Sequence, residues 1–306
     1  MSGPQSVRKP VHTGRVSSPL LATAQGKVLA TDSTDAAAGL VWYDATGAAL
    51  AKEADSPLAA AGGFATNRAA TGLFHAHKEL VQYNLNGTAA RTVRSIVLKN
   101  APPFFEAVAV SADGAVVAAG VSSDGARVWR GQGDRFEAIV SLPDAIPPFG
   151  LSADGATLVS AGPTLWDLKA KSPAARVPPK DFAPGKAWAT SADGRLLAVR
   201  ADAGSAVRVW DISGGGLKFV RELTGPAGAD AALLAFAPDG ESLALAGPDK
   251  DLRHRLVVWA VSDGKARHDW PLPGALVRLF FAPDGRHLLT ANGDGTGWVL
   301  RLAPPK

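Results

Sequence analysis

The chain reads as an all-β repeat protein of seven four-stranded antiparallel units, and two markers that keep step along its 306 residues carry that reading. The first is a turn tetrapeptide: SADG at 111–114, 152–155 and 191–194, then APDG at 237–240 and 282–285. The second is a strand of the form VxVW that follows each turn. A period in the low forties marks a repeat architecture, in which each unit is one supersecondary element stacked on its neighbours.

Extending the turn register backwards adds two degenerate copies, AQGK around Gln25 and TNRA around Asn67, which brings the count to seven. The aromatic slot of the second marker is Tyr43, Tyr83, Trp129, Trp166, Trp210, Trp259 and, in the last unit, Leu300. Ahead of each turn the apolar residues alternate, as in Val108 and Val110, Phe149 and Leu151, Leu234 and Phe236, or Leu279 and Phe281. Period two is the signature of a strand. The Asp-Gly pair then suits a tight hairpin, because Asp bonds to its own backbone and Gly takes the positive φ that such turns need. Beyond the turn, Leu29, Val117, Leu158, Leu197, Leu243 and Leu288 share one offset and are expected to face one core. A second loop leads into the VxVW strand, and a polar fourth strand follows, as in GLKFVREL before Thr224 and GKARHDWPL before Pro273. No segment sustains a helical period for ten residues, so helical solenoids of similar repeat length fit poorly.

VRVWDISGG with SADGRLLAVR, and the F-A-P-D-G-x-x-L form at 236–243 and 281–288, resemble the WD-repeat family in its bacterial form, over essentially the whole chain. The resemblance implies a seven-bladed β-propeller, with four-stranded blades set radially about a central channel. It also implies a single domain over 1–306, with blades near 18–55, 60–98, 104–142, 147–178, 185–223, 230–271 and 275–303. Family members with the full signature carry a Gly-His pair before the innermost strand, and this chain has none. Hydrophobic packing is therefore expected to hold the blades in place of a buried histidine network. The last VxVW-like strand ends near Leu302 with only Ala-Pro-Pro-Lys beyond it, whereas SVRKPVHTG at 6–14 reads like FVRELTG at 219–225. The segment at about 5–14 is thus expected to supply the outer strand of the final blade, closing the ring and hiding its edges.

Bulk composition narrows the function classes. Charged residues are 20% and hydrophobic ones 46%, a soluble globular balance, and no run approaches the eighteen apolar residues of a membrane span. The start, MSGPQSVRKPVHTG, lacks the apolar stretch of a secretory signal, so the expected location is cytoplasmic. A chain opening directly into a closing strand also fits an excised domain of a longer protein. Zero cysteines remove disulfides, thiolate zinc sites and thiol catalysis. The net charge of +4 and pI near 9.4 raise nucleic-acid or anionic-surface binding. That reading also needs basic residues gathered on one face, and here they are scattered among acids except for Arg8, Lys9 and Arg15.

Candidate chemistry is sparse. His75 and His77, with Glu79 following, would share one side of an extended segment, but they fall by register in a loop and lack the third ligand zinc requires. NGDGTG at 292–297 lacks the downstream Glu of a calcium loop, and SGGG at 213–216 lacks the Lys-Ser or Lys-Thr ending of a phosphate loop. The repeated aspartates Asp113, Asp154, Asp193, Asp239 and Asp284 answer the demand of the hairpin rather than forming an ion site. No cofactor, metal ligand set or catalytic residue is assigned. An enzyme using carboxylates from several blades leaves no linear motif, so a hydrolase or lactonase at the channel mouth stays as the alternative.

Loop length separates the two ends of the units. The Asp-Gly end is short and uniform, whereas the opposite end holds KNAPPFFE at 99–106, LPDAIPPFG at 142–150, VPPKDFAPGK at 177–186 and GPDKDLRHR at 247–255. Prolines stiffen such loops and lessen the entropy lost when a partner orders them. Phe104, Phe105 and Phe182 are the expected anchors, with Arg253, His254 and Arg255 as the polar rim. The alternative for each phenylalanine is an inward fold that caps the blade core, and Trp188, in the slot of Val108 and Phe149, is expected in the core. The function this implies is a non-enzymatic, monomeric scaffold that binds a protein partner or an adjacent domain.

Overall fold

The computed structural model describes residues 6–7, 21–22, 28–31, 40–43, 49–53, 63–69, 71–76, 79–85, 91–98, 105–176, 187–201, 206–224, 233–293 and 297–302. These residues form twenty-eight strands, β1 to β28, and no helix. The strands sort into seven four-stranded antiparallel sheets. The first holds β2 (Leu21–Ala22), β3 (Val28–Thr31), β4 (Leu40–Tyr43) and β5 (Ala49–Glu53). The second holds β6 (Gly63–Thr66), β7 (Gly72–Ala76), β8 (Glu79–Asn84) and β9 (Arg91–Val97). The third is β10 (Ala107–Val110), β11 (Val116–Val121), β12 (Gly125–Gln132) and β13 (Arg135–Leu142). The fourth is β14 (Gly150–Leu151), β15 (Thr157–Ser160), β16 (Thr164–Asp167) and β17 (Ser172–Arg176). The fifth is β18 (Trp188–Thr190), β19 (Leu196–Arg200), β20 (Ala206–Asp211) and β21 (Lys218–Thr224). The sixth is β22 (Leu233–Phe236), β23 (Ser242–Pro248), β24 (His254–Ala260) and β25 (Ala266–Pro271). In the last sheet β26 (Leu276–Phe281), β27 (His287–Asn292) and β28 (Gly297–Arg301) are joined by β1 (Ser6–Val7).

β1 lies outside β28, with Ser6 opposite Leu300 and Val7 opposite Val299. The N-terminal segment therefore supplies the outer strand of the last sheet at these two residues, and 8–14 lie outside the described residues. In six sheets the pairing of the third strand with the fourth slips by one residue immediately before the aromatic slot, as between Val128 and Trp129 or Val209 and Trp210. A bulge of this kind adds twist to the strand that carries it. The repeat's second sequence marker is thus also the site of its backbone irregularity.

The cores lie between neighbouring sheets rather than within one. Phe74 and Leu80 of the second sheet pack with Val117 and Trp129 of the third, and Val128 of the third packs with Leu158 and Trp166 of the fourth. The fifth and sixth sheets meet through Val209, Leu223, Leu243 and Trp259, and the sixth and seventh through Leu256, Val258 and Leu288. Leu73, Val117, Leu158, Leu197, Leu243 and Leu288, at one common position of the second strands, are each fully buried. Burying a side chain of this size stabilises the fold by roughly 1.5–3 kcal/mol.

Two residues beyond that position, the second strands carry His75, Ala119, Ser160, Val199, Leu245 and Thr290, all buried. Purely hydrophobic packing was the expectation, and among the described residues this position meets it in the third, fifth and sixth sheets. In the fourth, the Trp166 indole Nε1 donates to Ser160 Oγ at 2.8 Å. In the seventh, Thr290 Oγ1 donates to Asn292 Oδ1 and accepts from Trp298 N. His75 does not sit in a loop, as its register suggested. β7 continues to Ala76 and places the imidazole in the core at 3% exposure.

Candidate functional site

Each of the first six sheets is a meander, so its first and third turns lie at one end, and its second turn and the connection to the next sheet lie at the other; β26 to β28 of the seventh follow the same course. The Asp-Gly end is built by a repeated hydrogen-bond circuit. Ser111 Oγ donates to Asp113 Oδ1 and accepts from Val116 N, while Asp113 Oδ1 accepts from Ala115 N. Ser152 and Asp154, and Ser191 and Asp193, repeat it. Asn67 does the same work in the second sheet, its side-chain oxygen accepting from Thr71 N and Gly72 N, which explains how the degenerate TNRA copy keeps the turn.

Successive turns abut one another. A Cβ on Gly194, at φ +63°, would stand 2.2 Å from Ala153 N of the neighbouring turn, and one on Gly155 would stand 2.5 Å from a Val116 methyl. The carboxylates are thus consumed by backbone amides. The Ser152 hydroxyl, aided by Ala156 N, holds the Asp154 carboxyl below its ordinary range. Among the described residues no group of three His, Asp or Glu side chains is placed to hold a metal.

The connection end is chemically different. Seven large apolar side chains are exposed among the described residues, and four of them lie here: Val97 (68%) at the end of β9, Ile146 (43%), Leu252 (74%) and Val277 (53%) at the start of β26. The other three, Val93, Phe219 and Val220, belong to the outer strands β9 and β21. None is on an Asp-Gly turn.

Leu252 caps the tip between β23 and β24 with φ +61°. A non-glycine residue in that region costs about 1–3 kcal/mol and persists only where its surroundings enforce it. Here Asp249 does so: its carboxylate accepts from Asp251 N and Arg253 N, its own N–H donates to Arg253 O, and its carbonyl accepts from Leu252 N. The Arg253 amide is the largest cause that draws the Asp249 carboxyl below its usual range.

The residues singled out from sequence fare unequally. Phe105 is a correction. It is 3% exposed and packs with Phe74, Trp129 and Phe136, so its ring belongs to the core and offers no anchor. Phe104 and Phe182 lie outside the described residues. The segment 247–255 is a hairpin rather than a long loop, because Gly247 pairs with Arg255 and Pro248 with His254. Arg253 is exposed at its tip, His254 is half-buried in β24, and Arg255 is bound to Asp269 at 2.7 Å. Trp188 is half-buried against Val159, Leu197 and Val199. Sequence reasoning missed Leu252, which lay between two charged pairs in a stretch read as polar.

First strands of six sheets also converge on one cavity of about 660 Å³. Its wall includes Phe149, Phe236 and Phe280 with small residues such as Ala65, Ala109 and Gly150. Arg68, beside the Asn67 turn, and Arg278, on β26, are the charged residues in the lining, and no Asp, Glu or His contributes. A hydrolase of the kind held as the alternative needs convergent carboxylates, imidazoles or guanidinium groups, and among the described residues this wall presents only Arg68 and Arg278 of these.

No protein-family model and no curated protein matches the sequence. Solved structures do. The β-propeller domain of Cps50 (Swd1) from Myceliophteria thermophila superposes with a TM-score of 0.68 at 13% identity, over 98% of this chain and all of that one. A chain of the mitotic checkpoint complex superposes with a TM-score of 0.66 at 15% identity, over 99% of this chain and 98% of that one. Together with the sheet topology, these likenesses define the fold as a β-propeller. No described helix is long and apolar enough to cross a membrane.

Proposed function

We propose that the chain is a non-enzymatic interaction scaffold, a seven-bladed propeller whose ring is closed by β1 and whose connection face binds a protein partner or an adjacent domain. The observation that carries this is the gathering of Val97, Ile146, Leu252 and Val277 at one end, with Leu252 held in a left-handed conformation by Asp249. A protruding apolar residue on a rigid tip loses little freedom on binding, which is what makes an effective anchor. Arg253 stands beside it as polar rim, and Phe104 and Phe182, outside the described residues, stay as anchors proposed from sequence alone. The fold class shared with chains from protein assemblies supports the reading.

The same reading takes the chain as a single domain with the blade limits given above, a bacterial-type WD-repeat protein, cytoplasmic and monomeric. Nucleic acid is not the partner we propose. Arg127, Arg208, Arg255 and Arg267 each sit within 3.0 Å of a neighbouring carboxylate, so these cations do not form an open basic stripe. The test is affinity capture from the native host with the unaltered chain, with Leu252→Glu, and with Ser213→Glu at a third-to-fourth strand turn. A partner lost only with Leu252→Glu supports the reading, and a partner lost only with Ser213→Glu overturns the choice of face.

A further inference from the structure

The seven first strands, β2, β6, β10, β14, β18, β22 and β26, carry a single ionisable residue among them, Arg278. The other positions are Leu, Ala, Gly, Val, Phe, Trp and Thr. Arg278 lines the cavity and is open to it, yet the protein crowds it on its other sides enough to push its guanidinium down from the usual range. It stays protonated at neutral pH, because an arginine does not lose its charge in a protein. Among the described residues no ion pair involves it, and no carboxylate shares the cavity wall.

We propose that this cavity binds a small amphiphilic carboxylate, its anionic group on Arg278 and its apolar body against Phe149, Phe236 and Phe280. The volume falls within the roughly 300–1,000 Å³ of small-molecule sites, and a mostly apolar wall with one placed charge is the usual composition of such sites. A guanidinium presents a planar fork of donors that matches a carboxylate bidentately. Partial desolvation strengthens that pairing relative to one in water. Arg68, exposed near the Asn67 turn, adds a second positive charge along the wall and attracts anions over about a Debye length, roughly 8 Å at physiological salt. Val277 of the connection end also lines this cavity, but the anionic group is held by Arg278 and its test involves neither Leu252 nor a protein partner.

The test uses the full chain and three probes of equal apolar length, octanoate, octanol and octylamine, followed by ligand-observed NMR and calorimetry. Octanoate is expected to bind one to one and the other two at least tenfold more weakly. Arg278→Gln should weaken octanoate about tenfold or more and leave octanol unchanged, with Arg278→Lys intermediate, since losing a charge-assisted hydrogen bond is worth about that factor. Unchanged thermal midpoints in both variants separate loss of the site from loss of fold. Octanoate binding no better than octanol, binding equally to Arg278→Gln, or not binding the unaltered chain at millimolar concentration would each overturn the proposal.

Discussion

Trp166 and Trp210 occupy the same slot in the fourth and fifth sheets but meet different partners. Trp166 Nε1 donates to buried Ser160 Oγ at 2.8 Å, whereas Trp210 Nε1 is buried with no hydrogen-bond acceptor among the described residues. The residue equivalent to Ser160 is Val199, because Leu158 opposes Trp166 and Leu197 opposes Trp210, each two positions earlier in its strand. Ser160→Ala strands an indole N–H in the core and is expected to cost about 1–3 kcal/mol. Val199→Thr keeps the side-chain shape and offers Trp210 an acceptor. A new hydrogen bond contributes about 1 kcal/mol net, and the buried methyl exchanged for the hydroxyl forfeits a similar amount. The expected outcome for Val199→Thr is therefore within about 1 kcal/mol of the unaltered chain. Val128→Thr in the third sheet is the control: Val128 is fully buried, its strand partners Ala118 and Val140 carry no side-chain donor, and it should lose roughly 1–3 kcal/mol. Thermal unfolding reads the difference, since 1 kcal/mol moves the midpoint of a chain this large by about 2 °C. Equal losses for the two threonine substitutions, or a Ser160→Ala variant as stable as the parent, would show that the indole hydrogen bond does not set stability at this slot.

Two further perturbations probe the Asp-Gly end. Gly194→Ala forces a side chain into a left-handed residue and against the backbone of the next turn. It should cost about 2 kcal/mol or more in a melting experiment, whereas Gly133→Ala, at φ +58° with open space around it, should cost only about 1 kcal/mol. Asp154 has a carboxyl pKa depressed in the folded state, so its contribution is present above the unfolded value of about 3.9 and is lost as pH falls through the lower folded value. Asp154→Asn should therefore be less stable than the parent at pH 7, with the gap closing below about pH 4 in a pH series of melts.

Most of the fold was legible because it rests on local rules. A Ser-x-Asp-Gly turn states its own hydrogen bonds, and the alternation before it states a strand, so the sheets could be placed from these markers. The outer position of β1 was legible for a similar reason: the last unit lacked a fourth strand and the N-terminus resembled one. What was not legible depends on neighbours. Phe105 lies just ahead of β10, and nothing local in KNAPPFFE said that its ring would turn into the core. His75 looked like part of a loop because the strand's end is set by pairing with β8, and imidazole carries no strong preference. Leu252 was hidden by its charged neighbours, although a leucine amid DKDLRHR was itself a signal. Arg278 could have been found by laying the seven first strands in register, where it alone breaks an uncharged pattern.

If Leu252 anchors a partner on the connection face, the affinity of a captured partner for three forms of the chain will report it. Leu252→Glu should weaken binding by about thirtyfold or more, as expected for a buried anchor replaced by a charge. Asp249→Ala, which removes the carboxylate holding the tip, should weaken it by a smaller factor while leaving Leu252 in place. Affinity unchanged in both variants, with their melting curves intact, would contradict the account.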